Sequence, residues 1–312
     1  MQSSAPSSTT VLRIGTRGSP LALTQARLVR DGLAAVHGFA PERIALEIIK
    51  TTGDMIRDRP LAEVGGKGLF TKEIEATLQA GAIDLAVHSA KDMPTVLPDG
   101  LAIAAVLPRE DARDVFISRR SDSLQNLPKG ATVGTASLRR QALVKRLRPD
   151  LAVVPMRGNV ETRLRKLDEI DATLLALAGL KRLGLEAAAT AVLSVDEFLP
   201  AVGQGIIAIE TRDGDRRTRA LLDAVNHADS AVALAGERAF LAVLDGSCRT
   251  PIAGHATIAA GQLHFRGLIA KPDGSASFAC ERRGAAADAV RLGADAGREL
   301  KARAGTDFFA AV

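Results

Sequence analysis

The chain has 312 residues, 46% of them hydrophobic and 25% charged, which is typical of a soluble globular protein with two or three domains. Its net charge of +5 suits an anionic partner, but it has no Trp or Tyr and only 3% aromatic residues, so it lacks the stacking platforms of a single-stranded nucleic-acid-binding protein. No apolar run reaches the roughly 18 residues of a membrane span, and the five His lack the spacing of metal ligands.

The polar first ten residues show no signal-peptide pattern, so we expect a cytoplasmic protein. Two cysteines, Cys248 and Cys280, are too few for a disulfide framework, and we expect free thiols in a reducing compartment. For the oligomeric state we expect a monomer.

A first α/β unit begins with a predicted strand at residues 11–15, a Gly/Ser turn and a helix at 21–36. A strand followed by such a turn and a helix N-terminus is a natural anion site, which Arg17 and Ser19 would face. The alternative is that Ser19 only caps the helix and that Arg17 is solvated.

A second strand at 44–50 leads into a charged, glycine-rich segment at 55–68, which contains Lys67 and is followed by Phe70. This segment lacks the spacing of a P-loop, so we expect either a mobile lid or an ordinary surface loop. A helix is predicted at 71–78.

The stretch DLAVHSAKDMP, residues 84–94, is the feature around which this unit is organised. Its buried strand at 83–87 ends in a polar cluster that contains Ser89, Lys91 and Asp92. Open α/β sheets bind ligands outside the carboxyl ends of their strands, so we predict that this cluster lies in a ligand site. A surface turn with solvated charges is the alternative.

A strand at 101–107 and a charged crossing at 108–114 lead into a second α/β unit, in which Thr135 and Ser137 repeat the small-hydroxyl turn of the first. Its predicted strands are 115–118, 132–134, 151–154 and 172–177. Arginines recur near the strand exits and helix starts, at Arg139, Arg140, Arg157, Arg163 and Arg182. Guanidinium groups bind carboxylates or phosphates bidentately, so we predict an anion site, against the alternative of a solvated basic face.

A strand at 206–210 is predicted to return the chain to the first sheet. The run GQGIIA, which begins at Gly203 and includes Gln204 and Gly205, matches a dinucleotide fingerprint formally but opens a strand instead of a helix, so we reject a dinucleotide site. Two crossings imply a hinge and a cleft between the units. The predicted domains are 11–107 with 206–226, then 113–199, then 230–312.

The third unit is predicted to be a small α+β domain that begins with a helix at 227–243, which contains Glu237 and Arg238. Cys248 follows in a tight Gly/Ser/Pro loop, where the neighbouring Arg249 favours a thiolate. A buried, inert cysteine is the alternative. The remaining predicted elements are strands at 255–259, 262–270 and 277–283 and a helix at 286–302.

Eight sequence blocks, in this order, resemble those of the hydroxymethylbilane synthase family, also called porphobilinogen deaminases. They are RIGTRGSPLAL, GGKGLF, DLAVHSAKDMP, GTASLRRQ, RGNVETR, AGLKRLG, LPAVGQG and LDGSCRTPI, and the resemblance covers residues 11–312. It implies an α/β fold with two domains like type II periplasmic binding proteins, each with a mixed sheet. The first of these domains would be discontinuous, and a small C-terminal α+β domain would follow.

The resemblance also implies an enzyme with a dipyrromethane cofactor, held by a thioether to Cys248. Four porphobilinogen molecules would be added head to tail, each with loss of ammonia, and hydrolysis would release hydroxymethylbilane. Each pyrrole carries two carboxylates, so the growing chain is a polyanion that needs a basic cleft. The resemblance implies no metal and no nucleic acid.

By the same resemblance, Asp92 is the catalytic carboxylate. Lys67 and Phe70 belong to a loop over the cleft, and Gln204 with Gly205 makes a contact on the hinge side. Contacts with the cofactor and substrate are implied for Arg17, Ser19, Ser89, Lys91, Thr135, Ser137, Arg139, Arg140, Arg157, Arg163 and Arg182.

The chain departs from the family pattern at Glu63, where Lys is frequent, and at Ser247, where Gly is common. Glu63 removes one expected loop cation, whereas Ser247 is small enough to leave attachment at Cys248 intact. A second function of a different class is non-catalytic binding of a polycarboxylate by a two-lobed solute-binding protein, which offers no use for Cys248.

Overall fold

A computed structural model of the chain describes residues 10–55, 68–244, 250–305 and 308. Helix α1 begins at Pro20, whose fixed φ suits the first helical position, and Ser19 caps it by accepting a hydrogen bond from the Ala22 N–H. Gly38 ends this helix with a φ of +66°, a conformation that favours glycine. The first elements are β1 (Leu12–Thr16), α1 (Pro20–His37), β2 (Ile44–Ile48), α2 (Thr52–Met55), α3 (Lys72–Gln79), β3 (Leu85–Ser89) and β4 (Leu101–Val106).

The next part of the chain forms a second α/β unit. Its elements are β5 (Asp114–Ser118), β6 (Thr132–Gly134), α4 (Leu138–Leu147), β7 (Ala152–Val154), α5 (Val160–Arg165), β8 (Ala172–Ala176), α6 (Leu177–Arg182) and β9 (Ala191–Val192). The sheet order is β7-β6-β8-β5-β9, and β5 runs antiparallel to both of its neighbours. Strands β5 and β8 are buried over four successive residues, as expected for strands covered on both faces.

The chain then returns to the first sheet through β10 (Ile207–Arg212), followed by α7 (Arg216–Asp223). Strand β10 lies between β3 and β4 and is antiparallel to both, which gives the order β2-β1-β3-β10-β4. The returning strand was predicted at 206–210, and the structure confirms that it belongs to the first sheet. Ile207 lies opposite Ser89 in the ladder, and the crossing before β10 therefore meets the end of β3.

The C-terminal unit contains two long helices and an antiparallel meander in the order β11-β12-β13. The helices pack at very close range, because Gly293 lies against the carbonyl of Gly236, where a Cβ would collide. Phe240 and Phe265 fill the space between helix and sheet, with ring centroids 5.0 Å apart. The elements are α8 (Ala228–Val243), β11 (Ile252–Ala259), β12 (Gln262–Ala270), β13 (Ser277–Ala285) and α9 (Ala289–Ala304).

Two elements of this unit begin three residues away from their predicted starts. Strand β11 begins at Ile252 instead of 255, because its first three residues are all buried and give no alternation of apolar and polar side chains. Helix α9 begins at Ala289 instead of 286, since residues 286–288 form a separate 3₁₀ turn.

The predicted fold class is confirmed: two mixed α/β sheets are joined to a small C-terminal α+β unit. The C-terminal unit shares a core with the second sheet, because Leu268 and Ala270 of β12 pack in the same cluster as Phe116 and Leu174. Within the described ranges, no helix combines the length and the apolar character needed to cross a bilayer.

Candidate active site

The parallel strands β1 and β3 are neighbours, so their carboxyl ends meet at one edge of the first sheet. The turn after β1 brings Arg17 and Ser19 to this edge, and the turn after β3 brings Ser89 and Asp92. These residues line one cleft that is open to solvent. The lining side chains are Arg17, Ser19, Leu21, Ala22, Gln25, Phe70, Thr71, Val87, His88, Ser89 and Asp92.

Arg17 is held in the cleft by two contacts. Its guanidinium donates to the carboxylate of Asp54 and lies over the Phe70 ring, 4.2 Å from the centroid. Burial opposes ionisation of Asp54, but the hydrogen bonds and charge of Arg17 outweigh it and lower the pKa of the carboxyl. Asp54 was not singled out from the sequence, although its position in the short segment that follows β2 was a usable signal.

Ser19 and Ser89 each form a hydrogen bond with a residue of helix α1. Ser19 is the cap of α1, which was the alternative offered for this residue, and it still lines the cleft. Ser89 Oγ lies 2.9 Å from Nε2 of Gln25, a buried residue of α1 that sequence reasoning did not single out. A hydroxyl that only accepts a hydrogen bond keeps its own proton to donate, so Ser19 retains a donor for a ligand, whereas Ser89 Oγ can already donate to Oε1 of Gln25, 3.2 Å away.

Lys91 and Asp92 lie in a single 3₁₀ turn, residues 90–92, that directly follows β3. Lys91 Nζ donates to Oε1 of Gln204, 3.3 Å away on the crossing before β10. Burial, reinforced by the charge of Arg140, lowers the pKa of Lys91 to about 8, whereas Asp92 acts in the opposite direction. A charge from the second unit is therefore felt at the turn that carries Asp92.

Arg139 and Arg140 begin helix α4 and are buried, with 5% of each residue exposed. Both bind the fully buried Asp114: Arg140 Nη2 lies 2.7 Å from Oδ1, and Arg139 Nη2 lies 2.8 Å from Oδ2. Burial raises the pKa of Asp114, but the two guanidinium groups outweigh it and lower the pKa overall. The sequence analysis assigned Asp114 to a charged crossing and missed this partnership.

Two further donors of this arginine pair reach backbone carbonyls. Arg139 donates to Leu199 O at 2.7 Å, and Arg140 donates to Leu174 O at 2.9 Å. The pair thus ties α4 to β8 and to the segment before the second crossing.

Arg163, near the end of α5 in the second unit, interacts electrostatically with Asp92 and Arg140, as Lys91 does. Burial and the charge of Arg140 lower its pKa to about 10, while Asp92 raises it and Arg157 lowers it further. The electrostatic contacts of Lys91 and Arg163 therefore converge on Asp92 and Arg140.

Arg182 has a different position from the other arginines. Its Nη2 donates to Gly205 O at 2.6 Å, and burial lowers its pKa to about 10. The residue lies at the crossing between the two α/β units, where Glu110 is the charged neighbour that supports its ionised form.

Thr135 and Ser137 make the turn that opens α4. Thr135 Oγ1 accepts from the Ser137 N–H at 3.1 Å, and Ser137 Oγ accepts from the Arg140 N–H at 3.4 Å. Both hydroxyls therefore serve the helix cap and keep a proton to donate.

Gln204 and Gly205 form the crossing that faces Lys91. Gln204 is buried, and its Nε2 donates to Ala112 O at 2.7 Å on the other crossing. Gly205 has a φ of +88°, and a Cβ there would collide with Glu110 O. The two crossings between the α/β units are thus in direct contact.

The side chains that converge here suit a polycarboxylate. Five cations and two carboxylates interact in this region, which leaves an excess of buried positive charge. The buried Nε of Arg139 also lacks a hydrogen-bond partner among the described residues. Negatively charged groups of a ligand would relieve both conditions, so the residues present fit dipyrromethane with its several carboxylates. The interacting groups are Lys91, Asp92, Asp114, Arg139, Arg140, Arg157 and Arg163.

Several predicted site residues lie outside the described ranges, namely Lys67 of the lid segment and Cys248, together with Glu63, Ser247 and Arg249. The other cysteine, Cys280, is a half-buried free thiol. Burial, reinforced by Glu299, raises its pKa to about 11, so it is unreactive near neutral pH. Among the described residues, no group of His, Cys, Asp and Glu has the arrangement of a metal site.

Comparison with known proteins agrees with the arrangement of the site. Residues 12–220 match the family model "Porphobilinogen deaminase, dipyromethane cofactor binding domain", and residues 231–302 match "Porphobilinogen deaminase, C-terminal domain". Porphobilinogen deaminase from Nitrobacter hamburgensis is 64% identical over 298 residues, and that from Nitrobacter winogradskyi is 63% identical; each alignment covers 95% of this chain and 94% of the relative.

Among solved structures, an ABC transporter periplasmic substrate-binding protein from Coxiella burnetii matches with a TM-score of 0.43 and 15% identity, over 73% of this chain and 97% of that one. Immunogenic lipoprotein A from Vibrio vulnificus matches with a TM-score of 0.44 and 13% identity, over 70% of this chain and 96% of that one.

Proposed function

The chain belongs to the porphobilinogen deaminase family, and from this premise we propose that Asp92 is its catalytic carboxylate. The enzyme is a transferase of tetrapyrrole biosynthesis that makes hydroxymethylbilane from porphobilinogen and uses a dipyrromethane cofactor. When bound, this cofactor supplies the pyrrole primer to which new units are joined. The observation that supports Asp92 is that it lines the cleft and that its charge acts on both Lys91 of the first unit and Arg163 of the second.

The chemistry of the substrate explains why a carboxylate is needed there. Loss of ammonia from the aminomethyl group of porphobilinogen leaves a cation whose charge is shared with the pyrrole N–H. A fixed carboxylate stabilises a charge that appears only during reaction, which is worth about 3–4 kcal/mol if it equals an oxyanion-hole donor. The same carboxylate can also accept a proton or return one.

The basic side chains around Asp92 bind the acetate and propionate groups. On the cofactor side we assign Ser89, Lys91, Thr135, Ser137, Arg139, Arg140, Arg157, Gln204 and Gly205, with Cys248 as the thioether anchor. On the substrate side we assign Arg17, Ser19, Lys67, Phe70, Arg163 and Arg182. Arginine suits this task because its planar fork matches a carboxylate and remains charged when partly buried.

The proposed domain organisation also follows from membership of the family. The first domain comprises residues 11–107 and 206–226, the second 113–199, and the third 230–312. The sheet in which β10 lies between β3 and β4 supports the discontinuous first domain. We further propose a cytoplasmic monomer that binds no nucleic acid.

Two measurements test these assignments. The intact mass of the purified protein should exceed the sequence mass by two pyrrole units, and Cys248→Ala should remove that excess. Asp92→Ala should keep the fold, as seen by circular dichroism, and lose nearly all formation of hydroxymethylbilane.

The matched control for Asp92→Ala is Asp99→Ala, which removes an exposed carboxylate seven residues further along the same segment. Its turnover should remain within about twofold of the unaltered protein, because an exposed carboxylate away from the cleft contributes little. Near-normal turnover in Asp92→Ala would refute the catalytic assignment.

A further inference from the structure

Helix α8 of the C-terminal unit presents one face to the first unit. Ser230, Leu234, Glu237 and Arg238 follow the spacing of residues that share a helix face. Ser230 Oγ accepts from the Arg109 N–H at 2.9 Å, at the first crossing. Leu234 packs with Ala90, Met93 and Leu97, which flank Asp92 in the sequence.

Arg238 binds the segment that follows Asp92. Its Nη2 donates to Pro94 O at 3.0 Å and to Thr95 O at 2.9 Å. Arg238 is half-buried, and burial lowers its pKa. Its charged neighbour is Glu210 of β10, so a single guanidinium fixes two successive carbonyls next to the catalytic turn.

Glu237, the adjacent residue of α8, binds the crossing before β10, which packs against the start of the turn at residues 90–92. Its fully buried carboxylate accepts from the Gly203 N–H at 2.6 Å and from the Ala256 N–H at 2.7 Å, and it pairs with Arg109. Gly203 in turn lies against the backbone of Lys91, where a Cβ would come within 3.0 Å of Lys91 N.

We propose that Arg238 is a positioning residue for Asp92. Together with Glu237, it lets helix α8 fix the chain at both ends of the turn at 90–92, through Gly203 at its start and through residues 94 and 95 after its end. The Asp92 carboxylate is thereby aimed from the C-terminal unit, although Arg238 itself is not among the residues that line the cleft. The proposal deepens the proposed function and rests on the assignment of Asp92.

The expected effect is a loss in kcat that leaves KM nearly unchanged. A displacement of about 1 Å at a reacting group can cost about a hundredfold in rate, and the loss of two anchoring hydrogen bonds permits displacements of that size. For Arg238→Met in the cofactor-loaded enzyme we therefore expect kcat to fall about tenfold to a hundredfold, with KM within about twofold.

The experiment compares Arg238→Met and Arg238→Lys with Arg298→Met. Arg298 is an exposed arginine of α9 whose ion pair with Asp295 is 3.8 Å long, so its loss controls for the removal of one charge from the same unit. Intact mass reports the cofactor load, steady-state assays give kcat and KM, and hydrogen exchange is followed in the peptide that covers residues 90–97.

Arg238→Met should exchange at least about tenfold faster at 90–97 while the α9 peptide keeps its protection, because only the local anchor is lost. Arg238→Lys, whose ammonium can donate to one of the two carbonyls, should recover part of kcat and part of the protection. Arg298→Met should match the unaltered enzyme in every measurement.

Wild-type kcat and unchanged exchange at 90–97 in cofactor-loaded Arg238→Met would overturn the proposal. If that variant does not fold, Arg238→Lys decides in the same way: a lowered kcat, an unchanged KM and faster exchange at 90–97 support the proposal, and wild-type behaviour overturns it. If Asp92→Ala keeps its turnover, the catalytic assignment fails separately, and the exchange data still report whether Arg238 anchors the segment.

Discussion

Replacing Lys91 by methionine is expected to stabilise the cofactor-free protein at pH 7 and to impair the enzyme. Lys91 is partly removed from water and feels the positive charge of Arg140, which together lower its pKa from 10.5 to about 8. At about 1.36 kcal/mol per pH unit, this fall corresponds to about 3 kcal/mol that the charged lysine costs the fold below pH 8. Lys91 is half-buried, so solvent screening makes this an upper value.

The substitution also removes the hydrogen bond from Lys91 Nζ to Gln204 Oε1, which is worth about 1 kcal/mol. The net expectation is therefore a gain of at most about 2 kcal/mol in the free energy of unfolding at pH 7. The folded-state pKa lies below the unfolded value, so the unfolded chain binds more protons between about pH 8 and 10.5. Stability of the unaltered protein consequently rises with pH across that window, and the advantage of Lys91→Met disappears above it.

Urea unfolding of the two cofactor-free proteins from pH 7 to 11 measures this difference directly, because other groups titrate alike in both. In cofactor-loaded protein the gain should shrink, since ligand carboxylates near Lys91 favour its charged form. Turnover of Lys91→Met should fall because a carboxylate contact is lost. Equal or lower stability of Lys91→Met at pH 7, or a difference that does not vary with pH, would refute this reasoning.

Two further substitutions test the buried contacts that frame the cleft. Asp114→Asn leaves Arg139 and Arg140 without their shared carboxylate and should lower the free energy of unfolding in urea by about 3–5 kcal/mol. The control is Asp196→Asn, which removes an exposed carboxylate paired with Arg266 and should lower that free energy by less than about 1 kcal/mol. Equal losses in the two variants would contradict the argument. Gly205→Ala should lower thermal stability more than Gly184→Ala, because both glycines have positive φ but only at Gly205 would the new Cβ collide with a backbone oxygen; similar losses in the two variants would show that the crossing adjusts freely.

The strands and helices of the two α/β units were largely predictable from sequence, because each has a strong local signal. Strand β6 and strand β12 have the predicted bounds, and α1 differs by one residue at each end. Prediction failed where burial on both faces erased the alternation, as at the start of β11. The return of the chain through β10 was also predictable, because the Gly/Pro-rich crossing and the short apolar run that follows it are both local features.

The sequence predicted which cations and which acid belong to the site, but it did not predict the partners to which these side chains bind. The sequence indicated Arg139 and Arg140 by their place after a strand, whereas their shared partner Asp114 is separated from them by 25 residues or more. The same holds for Arg17 with Asp54 and for Arg238 with Pro94. Such contacts depend on how distant segments pack, and no periodic pattern in the chain records them.

The sequence by itself determined the order of elements, the excess of arginine at strand ends and the acid in the turn after β3, because each is a property of residues close together in the chain. Only the tertiary structure decided which charges neutralise each other and which remain for a ligand, since burial and distance set the free energy of a charge. A lysine whose pKa is lowered to about 8 by burial, and further by the charge of arginines from the second unit, is a product of that packing alone.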